Sequence, residues 1–195
     1  CPQPSIDFSS LKFHSISQRH KSDAIASYKK VVKLHPDYEM VFYASINQAK
    51  AFRTRDGGGE EIRKLLLKMA KDRKNAEFRD QIYYALAEVE IEDDNMDKGI
   101  EYLELSVRTS ISNVEQKGLS FMKLGDIYLN QREYELAKVN FDSTLIFLPK
   151  EAPEYEEIEH LDEGLTNLII DLNTIQLNDS LLYLATLTQK EQEKI

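Results

Sequence analysis

Apolar, small and polar positions follow one another at a fixed spacing in residues 118–151. Large side chains recur every three or four positions, small residues stand at two places and a proline closes the run: Phe121, Leu124, Gly125, Tyr128, Ala137, Phe141, Thr144 and Pro149. This spacing predicts two amphipathic helices. We expect Gly125 and Ala137 to face each other, because longer side chains there would hold the helix axes apart. The three aromatic residues then fill the groove between the helices, and Pro149 ends the second helix.

The same arrangement is that of a tetratricopeptide repeat, a pair of helices of roughly 34 residues. One such unit cannot bury its own apolar face, so the pattern should recur along the chain. With Ala137 as the reference position, its upstream equivalents are Gly99, Ile62 and Ala24, at nearly equal intervals slightly longer than the standard unit. We therefore predict an all-α fold, a right-handed α-α superhelix (a tetratricopeptide-repeat solenoid) over residues 21–151. Residues 1–20 are predicted to be an N-terminal tether or a degenerate first helix.

The three upstream repeats match the pattern to different degrees. The first supplies Tyr28 and Pro36, and the second, the most degenerate, supplies Phe42, Leu66 and Met69. The extra residues of the second repeat, 54–59, are predicted to lie between its two helices. The third repeat is better defined and supplies Tyr83, Leu86, Ala87, Leu103 and Ser106.

Residues 152–195 are predicted to form C-terminal capping helices. Apolar positions recur every three or four residues within 153–176, at Ile158, Leu161, Leu165, Leu168, Ile169, Leu172 and Ile175. Residues 178–180, Asn-Asp-Ser, offer side chains that would cap a further helix. The usual role of such helices is to cover the open end of the stack. Alternatively, Leu181, Leu184 and Leu187 form an apolar stripe for a partner helix or for further sequence.

Composition and charge narrow the function classes. The net charge of −9 would repel a phosphate backbone, so we expect no nucleic-acid partner. A basic protein surface is a better match, although an acidic, solvated surface is also common in soluble proteins. No apolar run approaches the roughly 18 residues that a membrane-spanning helix needs. The one cysteine, Cys1, excludes a disulfide within the chain.

No motif with a catalytic or metal-binding mechanism is found. The four histidines do not lie at the spacing of metal ligands. Residues 93–104 imitate a calcium-binding loop, but Lys98 stands where that loop needs glycine. We interpret Asp93–Asp97 as turn and capping residues. Gly57–Gly59 lack the lysine of a phosphate-binding loop. We therefore predict that the protein is not an enzyme and holds no cofactor.

A solenoid usually binds its partner along the concave face, which the first helix of each repeat lines. The repeat register places ten residues there: Tyr43, Asn47, Lys50, Gln81, Tyr84, Glu88, Ile91, Met122, Asp126 and Leu129. Tyrosine and methionine provide large, adaptable contact area, and Glu88 and Asp126 can pair with basic partner residues. The alternative for each residue is an ordinary contact between repeats. Only Asn47 and Lys50 suit the binding of a C-terminal carboxylate, which disfavours that type of chaperone adaptor.

Several stretches also resemble the SprE/PorW family, tetratricopeptide lipoproteins of gliding motility and type IX secretion in Bacteroidota. They are KNAEFRDQIYYALAE (74–88), KGLSFMKLGDIY (117–128), NFDSTLIFLP (140–149) and the LTNLI and DSLLYLA runs within 165–185. The resemblance covers most of residues 20–190. It implies a periplasmic, outer-membrane-associated adaptor whose protein partners are components of the secretion machinery. It also implies a membrane anchor through a lipidated cysteine, for which Cys1 is the candidate; alternatively Cys1 is only where an internal fragment begins.

Two other function classes stay open on the sequence. One is a generic tetratricopeptide co-chaperone or regulatory adaptor that binds a peptide segment in its concave groove. The other is an enzyme that uses a pair of carboxylates, because the chain has 34 acidic residues, although no pattern singles out a particular pair.

Overall fold

Every regular element that the structure describes is helical, as predicted. The computed structural model describes residues 26–30, 38–51 and 59–187, together with position 23. The elements are α1 (Tyr38–Ala51), α2 (Gly59–Lys71), a 3₁₀ helix (Arg73–Phe78), α3 (Arg79–Glu92), α4 (Met96–Thr109), α5 (Val114–Asn130), α6 (Tyr134–Phe147) and α7 (Tyr155–Thr186); residues 26–30 are also helical. The chain divides into two compact units, Cys1–Ile111 and Ser112–Ile195.

The core of the first unit lies between α1, α2 and the hairpin formed by α3 and α4. Its buried apolar residues are Phe42, Ile46, Ile62, Leu66, Ala70, Ile82, Ala85, Leu86 and Val89. Phe42 on α1 packs against Phe78 with ring centroids 4.6 Å apart, and Tyr83 stacks on Tyr102 at 6.3 Å. Of the residues predicted to pack the second and third repeats, Phe42, Leu66 and Leu86 lie in this core, and Met69 and Tyr83 pack against it. The other three, Ala87, Leu103 and Ser106, are also buried. Tyr28 is half-buried in its helical segment, whereas Ala24 and Pro36 lie outside the described residues.

A partly buried ionic cluster joins α2 to the end of α3. The guanidinium of Arg63 donates to Glu90 Oε1 from Nε at 2.6 Å and also contacts Asp93. Glu90 is only 1% exposed and accepts a further hydrogen bond from Asn95 Nδ2 at 3.1 Å. The bond to Glu90 raises the pKa of the Arg63 guanidinium above its ordinary range despite burial, and Asp93 adds to the rise. Arg63 thus stays charged and compensates two carboxylates.

The second unit contains the hairpin of α5 and α6 and the long helix α7. The ring of Phe141 on α6 lies directly against Gly125 on α5: a Cβ placed on Gly125 would be 2.5 Å from Cε1 of that ring. Ala137 and Phe141 are fully buried, so the helix pair packs closely as predicted. The side chain nearest to Gly125 is that of Phe141, however, and not that of Ala137 as predicted, because the ring fills the space that the glycine leaves. As predicted, the helix ends before Pro149, and Leu148 is extended, the conformation that a following proline favours.

The two hairpins share one turn geometry. Asp94, after α3, and Arg132, after α5, both have a positive φ, of 58° and 64°. Asn95 N–H donates to Glu90 O at 2.8 Å, and Glu133 N–H donates to Tyr128 O at 2.9 Å. These contacts define the same left-handed C-terminal cap in both places. The interval between the two turns along the chain equals the predicted interval between Gly99 and Ala137.

The calcium-loop imitation belongs to the first of these turns. Asp93 caps the end of α3 and Asn95 precedes the first residue of α4. The interpretation as a turn is confirmed for Asp93–Asn95, whereas Asp97 lies in the first turn of α4 and the Asn95 side chain makes no capping hydrogen bond. Of the residues predicted to lie between the two helices of the second repeat, 54–59, only Gly59 is described, and it is the first residue of α2. Residues 52–58 themselves lie outside the described part of the chain.

The predicted break between two C-terminal helices is wrong. α7 runs without interruption through Asn178, Asp179 and Ser180 to Thr186. Ser180 does not cap a new helix; its hydroxyl donates to Gln176 O at 2.7 Å, within the continuing helix. Neither glycine nor proline interrupts this stretch, so the capping side chains alone do not stop the helix.

The first half of α7 packs against the preceding hairpin, and the second half is mostly exposed. Ile158 and Leu165 are buried against Ala137 and Phe141, and Leu161 packs on the same cluster. Further along, Leu168, Leu172 and Ile175 are exposed, although the pattern predicted them on the covered face. The physical reason is length: α6 has 14 residues and α7 has 32, so α7 extends past the hairpin it covers.

Candidate functional site

The predicted binding residues fall on the first helix of each predicted pair, α1, α3 and α5. On α1, Tyr43 and Asn47 are one turn apart and both are exposed. The ring of Tyr43 meets Phe42 edge to face at 5.4 Å, which ties its position to the core. The side chain of Lys50 lies outside the described part. α1 therefore presents an aromatic and an amide group from one face.

The four residues predicted on α3 are each half-buried and recur at three- and four-residue intervals, so they share one face of this helix: Gln81, Tyr84, Glu88 and Ile91. Ile91 has a packing role, because its side chain contacts Gly99: a Cβ placed on Gly99 would be 2.6 Å from Cγ1 of Ile91. For this residue the alternative interpretation, a contact between helices, describes the geometry better than a binding role.

Of the three residues predicted on α5, two pack against a core cluster and the third is a half-buried acid. Met122 and Leu129 pack against the cluster around Phe141 and Ile158, so they support α7. Asp126 is half-buried on the same face of α5. Burial raises the pKa of the Asp126 carboxyl; nearby Lys123 lowers it and Glu157 on α7 raises it again. A half-buried carboxylate beside a second acid favours a cationic partner group.

An acidic region of α7 adjoins this position. An open depression of about 560 Å³ is lined by Pro153, Glu156, Glu157, His160 and Leu161. Glu157 thus contributes both to the depression and to the electrostatics of Asp126. None of the exposed acidic residues of this region was predicted to bind a partner. The available signal was the run of seven carboxylates between residues 151 and 163 with no lysine or arginine among them.

Among the described residues, Lys138 on α6 is the only cation that forms an ion pair with the acidic helix α7. Its Nζ lies 3.0 Å from the Asp162 carboxylate and 2.7 Å from Asp142. Burial lowers the pKa of Lys138, but the hydrogen bonds to Asp142 and Asp162 outweigh it, so the pKa is raised. Asp162 is therefore neutralised within the unit, whereas Glu156 and Glu157 are exposed.

Small-molecule and metal sites are less well supported by the described residues. The cavity between α1 and α2, lined by Phe42, Lys68 and Met69 among others, measures about 190 Å³. Pockets for drug-sized ligands are typically larger, roughly 300–1,000 Å³. Within 26–30, 38–51 and 59–187, no group of three or more histidine, cysteine or acidic side chains is placed to hold a metal ion. None of the helices described there is long and apolar enough to cross a membrane.

Comparison of the sequence with protein-family models and with curated proteins finds no match. The structure itself defines the class: an all-helical protein built from antiparallel helical hairpins, compatible with a helical solenoid.

Proposed function

We propose that the protein is a protein–protein interaction scaffold of the tetratricopeptide type. The observation that carries the proposal is the hairpin of α5 and α6, in which Gly125 admits the ring of Phe141 at the position the repeat pattern requires. The recurrence of its turn in the preceding hairpin, at the interval of the repeat, supports a repeated unit. Such hairpins stack into an array whose first helices offer a partner-binding face.

The proposed partner-binding residues lie on the first helix of each hairpin and are described unit by unit. In the first unit they are Tyr43 and Asn47 on α1 and Gln81, Tyr84 and Glu88 on α3, and in the second unit Asp126 on α5. Tyrosine provides rigid contact area, and the acidic groups select a basic partner segment. The sequence resemblance to the SprE/PorW family makes the partners components of the type IX secretion and gliding machinery. It also supports a periplasmic, outer-membrane-associated location, with Cys1 as the candidate lipid anchor.

A pull-down from a gliding bacterium of the Bacteroidota tests this function. The tagged protein should recover secretion-machinery proteins, identified by mass spectrometry. Tyr43→Ala and Asp126→Lys should each reduce recovery several-fold, because they remove contact area and reverse a charge among the proposed partner-binding residues. The matched control is Val139→Ala, since Val139 is exposed on α6, a second helix. Recovery of heat-shock chaperones alone, unchanged by both variants, would instead favour the generic adaptor.

A further inference from the structure

The second half of α7 presents apolar side chains that the described part of the chain leaves largely exposed. All residues from 166 to 186 are exposed except Ile169 and Leu184, which are half-buried. Eight large apolar side chains in this stretch are between 38% and 67% exposed: Leu168, Ile170, Leu172, Ile175, Leu177, Leu181, Leu182 and Tyr183. Contiguous exposed apolar patches of this kind mark interaction sites in soluble proteins.

The apolar residues form two stripes on different faces of α7. The front stripe, Leu168, Leu172, Ile175 and Leu182, continues the three- and four-residue spacing of Ile158, Leu161 and Leu165. Those three residues pack on α6, so the front stripe extends an interface between helices that already exists. The back stripe, Ile170, Leu177 and Leu181, lies on the opposite side of the helix.

The front stripe carries acidic groups and no basic ones. Asp179 stands between Ile175 and Leu182 in the same spacing, and Asp171 lies one turn before Ile175. No lysine or arginine occurs from residue 151 to residue 189. Two copies of this surface would therefore place carboxylates against carboxylates without a compensating cation from either helix. That arrangement is unfavourable in an apolar interface.

We propose that the front stripe of α7 docks an amphipathic helix of a protein partner, with lysine or arginine beside its apolar face. The apolar contact supplies the affinity, and pairing with Asp171 and Asp179 sets the partner's charge and register. Residues 166–186 extend over about 30 Å, so a partner helix of about 20 residues matches this surface. The inference rests on the proposed scaffold function and gives it a second surface.

The probe is a synthetic helical peptide of about four heptads, with leucine at heptad positions a and d and lysine at e and g. Repulsion between the lysines opposes pairing of the peptide with itself. Two matched peptides carry glutamate at e and g, or the lysine peptide's composition in scrambled order. Fluorescence anisotropy with the full chain should give at least about tenfold tighter binding for the lysine peptide than for either control.

Matched variants of the protein locate the site. Leu172→Gln, in the front stripe, should weaken binding of the lysine peptide by at least about tenfold. Leu177→Gln makes the same change in the back stripe and should leave the affinity within about twofold. The double change Asp171→Asn and Asp179→Asn should weaken binding at low salt and reduce its salt dependence. Circular dichroism of each variant checks that the helix content is preserved.

Four outcomes would overturn the inference, of which the first three concern the peptides, the variants and the oligomeric state. They are equal binding of the lysine and glutamate peptides, equal effects of the two leucine changes, and a dimer in sedimentation equilibrium that Leu172→Gln abolishes. Liposome flotation that depends on Leu172 would assign the surface to lipid and would also overturn it. The proposed scaffold function is judged separately, by the effects of Tyr43→Ala and Asp126→Lys in the pull-down. A negative peptide result with a positive pull-down thus rejects only the α7 surface.

Discussion

Single glycines decide how closely the helices of a hairpin approach. A Cβ at Gly125 would meet three ring atoms of Phe141 at 2.5–3.0 Å, and a Cβ at Gly118 would lie 2.9 Å from the backbone nitrogen of Leu148. Neither neighbour has room to move, because Phe141 and Leu148 are buried. By contrast, a Cβ at Gly164 on α7 meets nothing within 4 Å. Packing thus requires glycine at positions 118 and 125, whereas no contact requires it at position 164.

We predict opposite effects for two glycine-to-alanine changes. Gly125→Ala should destabilise the protein by about 1–3 kcal/mol, since the ring of Phe141 must shift within a packed core. Gly164→Ala should stabilise it by up to about 1 kcal/mol, through helix propensity alone. Urea denaturation followed by circular dichroism measures both. The packing argument fails if Gly125→Ala is as stable as the parent protein.

A second prediction concerns the ionic cluster. Arg63→Met should cost about 3–5 kcal/mol, because it leaves the Glu90 carboxylate buried without its cation. Adding Glu90→Gln should recover a large part of the loss, since the amide carries no charge to compensate. Denaturation of the two single variants and the double variant gives the coupling energy. Additive effects of the two changes would show that the ion pair is not what these residues contribute.

Among the helices, the hairpins were the most predictable elements. The residue spacing alone predicted both α5 and α6, and Pro149 predicted where α6 ends. Small and aromatic residues at fixed positions leave few ways to pack two helices against each other. The Arg63 cluster was not predictable in this way. Because Arg63 stands near Glu60 and Lys64 in the sequence, the local pattern indicates a solvated helix face. Only the packing of α2 against α3 brings the Arg63 guanidinium to the buried Glu90 carboxylate.

The continuity of α7 shows a further limit of local signals. Asn178, Asp179 and Ser180 can cap the start of a helix only if the preceding helix has already ended. No residue at this place ends it, so the helix continues. Likewise, the periodicity of Leu168 and Leu172 predicted an apolar face without showing that α6 is too short to cover it. For the candidate site, the repeat register placed the predicted residues on one face of α3 and on one face of α5. It did not show which of them pack against other helices, as Ile91 and Leu129 do.

The two halves of α7 should differ in local stability. Backbone amides of residues 166–186 should exchange with deuterium at least about tenfold faster than those of 155–165, because few packing contacts oppose local opening of the exposed half. Mass spectrometry of peptic fragments measures this difference. Addition of the lysine peptide should slow exchange in 166–186 only. Uniform exchange along the whole helix would contradict the prediction.

At the scale of the whole molecule, each compact unit has its own apolar core. The cluster around Leu66 and Ile82 belongs to the first unit, and the cluster around Phe141 and Ile158 belongs to the second. The net charge of −9 is unevenly spread, since seven carboxylates lie between residues 151 and 163. A partner is therefore expected to meet an acidic, partly apolar surface in the second unit.

The second unit should fold when produced alone. Ser112–Ile195 contains every residue of the cluster around Phe141, so the fragment should be helical and unfold in one cooperative transition. Phe141→Ala in the fragment should cost about 3–5 kcal/mol and abolish that transition. Thermal melts followed by circular dichroism test both. A fragment without a cooperative transition would mean that its core needs the rest of the chain.

The matched turns at Asp94 and Arg132 bear on how such a chain changes length. Both turns bond the same backbone groups, at equivalent places in successive hairpins. Excision of residues 95–132 would join Asp94 to Glu133 and leave a turn of unchanged form, with α3 leading into α6. Duplication of the same segment would add one hairpin without disturbing the turn on either side. The segment between the two positive-φ residues is therefore a length of chain whose gain or loss would keep the turn geometry.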